Sequence, residues 1–138
     1  MGAYLLDASA LLAWMGDEGG ADYVESILEE SAISSVNFGE ALYKADRSTH
    51  QAADIMALGL QVIPFSANHA LELPDLRVAD ALLREKARSR GDRVQSLSLA
   101  DMCCLATGII EELTVVTGDT YWWEIPLPTL ALIDYRTP

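Results

Sequence analysis

The sequence predicts an α/β fold, with a central, mostly parallel, twisted sheet and helices on both faces. Three observations predict it. The apolar runs at residues 3–6, 32–33, 60–65, 113–117 and 129–134 are short, and they lack the alternation of a half-exposed strand. Between them lie stretches with apolar residues at three- and four-residue spacing, the period of a helix with one buried face. Strands separated by helices run parallel, because the helices are the crossovers and cover the sheet. With 138 residues, half of them hydrophobic, the chain is expected to form a single domain over residues 1–138.

Residues 3–6 read as a buried strand, and 9–15 as a short helix capped by Ser9. Val24, Ile27 and Leu28 share a helical face within 21–30. An extended piece at Ala32 and Ile33 leads to Ser34 and Ser35, N-caps for a helix over 36–47, and a further helix covers 49–59. "LQVIPF" reads as a strand, with Pro64 at its end or on an edge. Ser66 caps a short helix that Pro74 interrupts. Leu76, Ala79, Leu83 and Ala87 repeat helically from Asp75 to Ser89, and Gly91 closes that helix. Ser98 starts a helix with Leu99, Met102, Ala106, Ile109 and Leu113 inward; "LTVVTGD" and "TLALID" are the last strands.

Composition narrows the function classes. No stretch is long and apolar enough to span a bilayer, and the N-terminus has no basic stretch of a secretory signal, so a cytoplasmic protein away from membranes is expected. Cys103 and Cys104 are sequence neighbours without a CxxC or histidine companion; they read as small core residues. The net charge of −12 excludes a simple basic nucleic-acid coat and suits a cationic partner. Five of the nine basic residues nevertheless cluster as Arg84, Lys86, Arg88, Arg90 and Arg93. That cluster reads first as a solvated helix face and second as an RNA-binding rim that tracks phosphates. His50 and His69 read as surface residues, and Trp14, Trp122 and Trp123 as packing residues, with base stacking the second reading of Trp122 or Trp123.

Four carboxylates share a setting at strand ends or in the first turns of helices: Asp7, Glu40, Asp101 and Asp119. Each has a local explanation. Asp7 suits an Asx turn, Glu40 stands four residues before Lys44, Asp101 completes a capping box with Ser98, and Asp119 follows Gly118 in a turn. Functional groups of parallel sheets gather beyond the carboxyl ends of the strands, which places Asp7 and Asp119 on one edge. Two carboxylates about 5 Å apart repel by roughly 3 kcal/mol at an effective dielectric near 20. Four together hold either protons or a cation, and oxygen-only donors favour Mg²⁺, with Mn²⁺ as the alternative. The chemistry that suits such a site is hydrolysis of a phosphodiester by a water the cation activates.

"LLDASALLAW", "SSVNFGEALYKA", "SLSLADMCCLA" and "VVTGDTYWW" resemble, in order and separation, the four acidic motifs of PIN-domain ribonucleases, most closely the VapC-type toxins of toxin–antitoxin pairs. The resemblance covers nearly the whole chain, although residues 50–95 carry no motif. It implies a PIN-like three-layer sandwich, with Asp7, Glu40, Asp101 and Asp119 as catalytic, metal-binding acids. It implies supporting roles for Ser9, Asn37 and Thr117, a homodimer, and a small antitoxin that covers the site, commonly with an arginine.

The expected function is a Mg²⁺-dependent endoribonuclease with Asp7 and Asp101 as direct ligands. Glu40 and Asp119 act through water or a second ion, one of them as general base. The alternatives are a non-catalytic PIN-like binding module and another acidic-pocket phosphotransfer protein. A receiver domain wants a lysine after the strand that precedes Asp119, and a dehalogenase-like phosphatase wants D-x-D, where residue 9 is serine.

Overall fold

The computed structural model describes residues 2–45 and 49–138, with side chains described outside 49–52. The chain runs β1 (Tyr4–Leu6), α1 (Ala8–Met15), α2 (Ala21–Ile27), a 3-10 turn η1 (Leu28–Glu30), β2 (Ser31–Ser34), α3 (Ser35–Lys44) and α4 (Thr49–Ala57). It continues through β3 (Gln61–Ile63), α5 (Ala67–Ala70), α6 (Leu73–Arg90), α7 (Leu99–Glu111), β4 (Thr114–Thr117), a second 3-10 turn η2 (Thr120–Glu124) and β5 (Leu132–Asp134). The five strands form one sheet in the order β3-β2-β1-β4-β5, and every pairing is parallel. All five carboxyl ends therefore lie along one edge.

Alternation along each short strand divides the apolar residues between two cores. Leu6, Ile33 and Val116 face the layer of α1 to α4, where Leu11, Val24, Ile27, Ala41 and Ile55 are buried. Leu5, Ala32 and Val115 face the opposite layer, against Leu76 of α6, Cys104 and Leu105 of α7, and Trp122 of η2. Both faces being covered explains why the strands read as unbroken apolar runs. Among the described residues no helix is long and apolar enough to cross a membrane.

Several expectations change in detail. Asp7, not Ser9, caps α1: it has extended backbone and its carboxylate accepts from Ala8 N–H, while Ser9 lies inside the first turn. The helix expected over 21–30 tightens into 3-10 geometry at Leu28. Pro74 does not interrupt a helix but occupies the first turn of α6, where its missing N–H has no partner to lose. Leu99, expected inward, is exposed at the start of α7. His69 is not a surface residue. It is buried, its Nδ1 accepts from Ser66 N–H at 3.0 Å, and its Nε2 meets Glu111 Oε1 at 2.9 Å. The end of the helix expected over 36–47 and the side chain of His50 lie outside the described residues. Ser34 caps α3 and Gly91 closes α6 in the left-handed region, both as the sequence predicts.

One buried polar contact ties the layer of α6 to the functional edge. Asp80 lies on the apolar face of α6, four residues after Leu76, and is 3% exposed. It accepts from Leu97 N–H at 3.0 Å and from Tyr121 O–H at 2.8 Å. α6, the segment leading into α7, and η2 thus converge on one carboxylate. Asp80→Ala leaves two buried donors unpaired and is expected to cost about 2–4 kcal/mol in urea unfolding. Tyr121→Phe removes one donor and is expected to cost about 1 kcal/mol. Equal losses in the two variants would contradict this assignment of Asp80 as the shared acceptor.

Candidate active site

Asp7 stands where β1 ends and α1 begins, and its own N–H extends the sheet by donating to Val116 O of β4 at 2.9 Å. Its side chain is almost enclosed, at 5% exposure. Oδ1 accepts from Ala8 N–H at 2.8 Å, and Oδ2 accepts from the hydroxyls of Ser9 at 2.7 Å and Thr117 at 2.9 Å. Thr117 Oγ1 in turn accepts from Asp119 N–H at 3.1 Å, and Ser9 Oγ from Gly118 N–H at 3.2 Å. The D-A-S and T-G-D segments are therefore one hydrogen-bonded unit, closed across β1 and β4. Asp119 caps η2, its Oδ1 accepting from Tyr121 N–H at 3.1 Å.

The other two acids arrive on helices. Asp101 sits in the first turn of α7, in a reciprocal box with Ser98: Asp101 Oδ2 accepts from Ser98 N–H at 2.8 Å, and Asp101 N–H donates to Ser98 Oγ at 3.0 Å. Glu40 lies on α3, with Lys44 Nζ 3.2 Å from its Oε2. Asn37, one helical turn before Glu40, is fully buried. Its amide nitrogen donates to Ala100 O at 3.0 Å and, more weakly, to Glu40 Oε1 at 3.4 Å, so it joins α3 to the start of α7. With two acceptors fixing the amide nitrogen, Asn37 Oδ1 is left buried with no hydrogen-bond partner among the described residues.

The charges of these groups act on one another. Burial pushes the pKa of Asp7 from 3.8 to about 6; the charge of Asp101 adds to the rise, while the hydrogen bonds from Ser9, Thr117 and Ala8 oppose it. Asp101 is also raised, first by burial and then by the charges of Asp119 and Glu40, against the pull of Ser98. The thiol of Cys104, enclosed behind them on α7, is pushed well up by burial and further by Asp7, Asp101 and Glu40. The four acids thus share one field at the carboxyl edge of the sheet.

They do not form a closed cage. Among the described residues, no three His, Cys, Asp or Glu side chains are drawn together tightly enough to hold a metal ion as they stand. The donor chemistry nonetheless fits a hard cation. The converging donors are all oxygens, Asp7 and Asp101 are both destabilised as anions, and the unpaired Asn37 Oδ1 borders the same group.

Sequence reasoning placed Ser9, Asn37 and Thr117 beside the acids, and the structure brings all three into direct hydrogen bonds with Asp7 or Glu40. It missed two groups. Asp80 was legible in principle, as a carboxylate on an apolar helical stripe. Arg136 lies in no motif, yet it grips Asp134 through Nε and Nη2 at 3.0 and 2.9 Å and donates to Gly118 O at 2.6 Å, next to Asp119. Of the basic cluster, Lys86, Arg90 and Arg93 line a cleft of about 100 Å³ with Tyr121 and Glu124 of η2, while Arg88 stands 3.8 Å from Glu85. Arg84 is half-buried, its Nε unpaired among the described residues. Trp122 is fully buried and Trp123 is exposed.

An all-parallel sheet that gathers carboxylates from β1, α3, α7 and β4 at its carboxyl edge defines an α/β protein with an acidic edge site. The model of the PIN domain family matches residues 4–126, and the chain belongs to that family. Its fold is shared with a chain of VapBC2 from Rickettsia felis bound to a DNA fragment from their promoter, at 22% identity and a TM-score of 0.63, over 94% of this chain and 96% of that one. It is shared with a toxin-antitoxin complex from Klebsiella pneumoniae, at 20% identity and 0.61, over 98% and 99% of the two chains. FitAcB from Neisseria gonorrhoeae is similar at 20% identity and 0.66, over 96% and 97%. No curated protein matches the chain in sequence.

The raised pKa of Asp7 has a consequence for stability. The folded state binds this proton more tightly than the unfolded chain, so stability falls as pH rises from 3.8 through about 6. Above that the penalty is complete, up to about 3 kcal/mol for a shift of this size. Asp7→Asn removes the charge. In EDTA at pH 7.5 the variant is expected to unfold at a higher urea concentration than the parent, with the gap closing toward pH 4. A lower midpoint for the variant at pH 7.5 would contradict the buried-carboxylate account.

Proposed function

We propose that this protein is a metal-dependent endoribonuclease, a toxin of the VapC type held in check by a small antitoxin. The observation that carries the reading is the convergence of Asp7, Glu40, Asp101 and Asp119 in one electrostatic field within a PIN domain. Asp7 and Asp101 would hold Mg²⁺ or Mn²⁺ directly, with Glu40 and Asp119 taking part through water or a second ion. Such a cation supplies charge neutralisation at the scissile phosphate and lowers the pKa of water.

The chain's own groups do the rest. Ser9, Thr117 and Ala8 N–H hold Asp7 in one rotamer, so its anion is already oriented. Asn37 positions Glu40, and Lys44 shares that carboxylate from the solvent side. Glu40 or Asp119 accepts the proton from the attacking water, which yields 5′-phosphate and 3′-hydroxyl ends. A route through the RNA 2′-hydroxyl wants an imidazole. His69, the histidine whose side chain is described, is buried against Glu111, ten residues along α7 from Asp101 and therefore about 15 Å away. The cleft of Lys86, Arg90 and Arg93 beside η2, which Asp92 and Glu124 also line, would offer phosphate contacts to the RNA.

Regulation and assembly are proposed from fold likeness. The Klebsiella pneumoniae neighbour is described as a toxin-antitoxin complex, and a cationic antitoxin segment would relieve the repulsion among these acids. A homodimer working in the cytoplasm completes the reading.

Purified protein is expected to cleave single-stranded RNA with Mg²⁺ and to stop in EDTA. Asp101→Asn is expected to lose at least a hundredfold in rate while keeping its fold by circular dichroism. Cleavage persisting in EDTA, or products ending in 2′,3′-cyclic phosphate, would overturn the mechanism. In the same assay, Lys86, Arg90 and Arg93 replaced together by alanine are expected to weaken RNA binding and reduce its salt slope by about 2–3. An unchanged slope would leave these residues as a solvated surface.

A further inference from the structure

The 3-10 turn η2 does more than carry Asp119. With about three residues per turn, its side chains separate into three directions. Trp122 points into the core, and Tyr121 and Glu124 turn to the basic cleft. Thr120 and Trp123 turn the other way, toward β5 and the C-terminal residues. There they line a cavity of about 450 Å³ together with Leu132, Asp134 and Thr137. The volume suits a small organic ligand. Trp123 is 45% exposed, although a tryptophan is among the most costly side chains to leave in water.

Arg136 joins this cavity to the acids. Its guanidinium is held from two sides, by the Asp134 carboxylate that borders the cavity and by Gly118 O, which directly precedes Asp119. Those bonds use Nε and Nη2, and the side chain remains 46% exposed with Nη1 unbonded among the described residues. Asp134, neutralised by Arg136, keeps lone pairs able to accept from the amino group of a base. An aromatic face, hydroxyls at Thr120 and Thr137 and a carboxylate thus line one cavity, with Arg136 anchored at its border on that carboxylate, and Thr120 directly follows a proposed catalytic acid.

We propose that this cavity is the subsite for one nucleotide flanking the scissile phosphate, with its base stacked on Trp123 and its phosphate on Arg136. The proposal rests on the ribonuclease reading for its substrate class, but its test does not require cleavage. In the Asp101→Asn background, a fluorescein-labelled six-nucleotide RNA is titrated at several salt concentrations in EDTA. Trp123→Ala is expected to weaken binding about tenfold, the scale of one base–aromatic stack, and Trp123→Phe to restore most of it. Arg136→Ala is expected to weaken binding and lower the salt slope by about 1. Circular dichroism and sedimentation accompany each variant. Undiminished affinity in Trp123→Ala would overturn the subsite. So would conversion of a dimer to monomers by that substitution, which would make this face a contact between copies of the chain. If the parent cleaves no RNA yet the Trp123-dependent affinity is present, the cavity stands as a nucleotide-binding site and the catalytic reading of the acids falls.

Discussion

A buried carboxylate must be paid for, and the way Asp7 is accommodated organises the rest of this molecule. Its three hydrogen bonds come from its own helix start, from Ser9 and from Thr117 on the neighbouring strand. The last of these requires β1 and β4 to be adjacent and parallel, with their carboxyl ends level. Were the register between them shifted by one residue, Thr117 would turn to the other face and Asp7 would lose a donor it cannot replace from water. The same register brings Asp119 N–H onto Thr117 Oγ1, so that both strand-end acids are set by one ladder. Even so, the hydrogen bonds do not offset burial, and Asp7 remains a reluctant anion.

The two helical acids are added to that unit by different means. Asp101 is locked by the capping box that starts α7, a local device that also fixes where the helix begins. Glu40 is reached through Asn37, whose amide spans from α3 to Ala100 O. These supports orient the carboxylates while leaving oxygens uncommitted, and they do so without a neutralising cation at Asp7 or Asp101 among the described residues. Charge repulsion of this kind is what the proposed function would use, because a fully neutralised cluster would have little to gain from a cation.

η2 is the second organising element. It starts on an acid, is anchored by Tyr121 on Asp80, and buries Trp122. A five-residue turn thereby separates the cleft of Lys86, Arg90 and Arg93 from an aromatic-lined cavity, with Asp119 at its head. Arg136, at the C-terminus, closes the same edge from the far side of β4. For the proposed RNA substrate such placement matters, because local positive groups must act within a screening length of about 8–10 Å against an unfavourable net charge.

Much of this was legible in the sequence. Unbroken apolar runs and helical spacing determine a parallel α/β sheet, because a strand buried on both faces cannot alternate. Ser34, Ser98 and Gly91 determine their helix ends, because capping is satisfied within a few residues. The four acids were visible as motifs for the same reason: Asp7, Asp101 and Asp119 have local roles at helix starts, and Glu40, in the middle of α3, pairs with Lys44 one turn on. What only the tertiary structure decided are contacts between groups distant along the chain: the Asp80–Tyr121 bond, the burial of His69 on Glu111, and the grip of Arg136 on Gly118 O. Spacing of side chains along one segment follows from backbone geometry, but the partner of a buried polar group is chosen by how segments pack, and no local period records that choice.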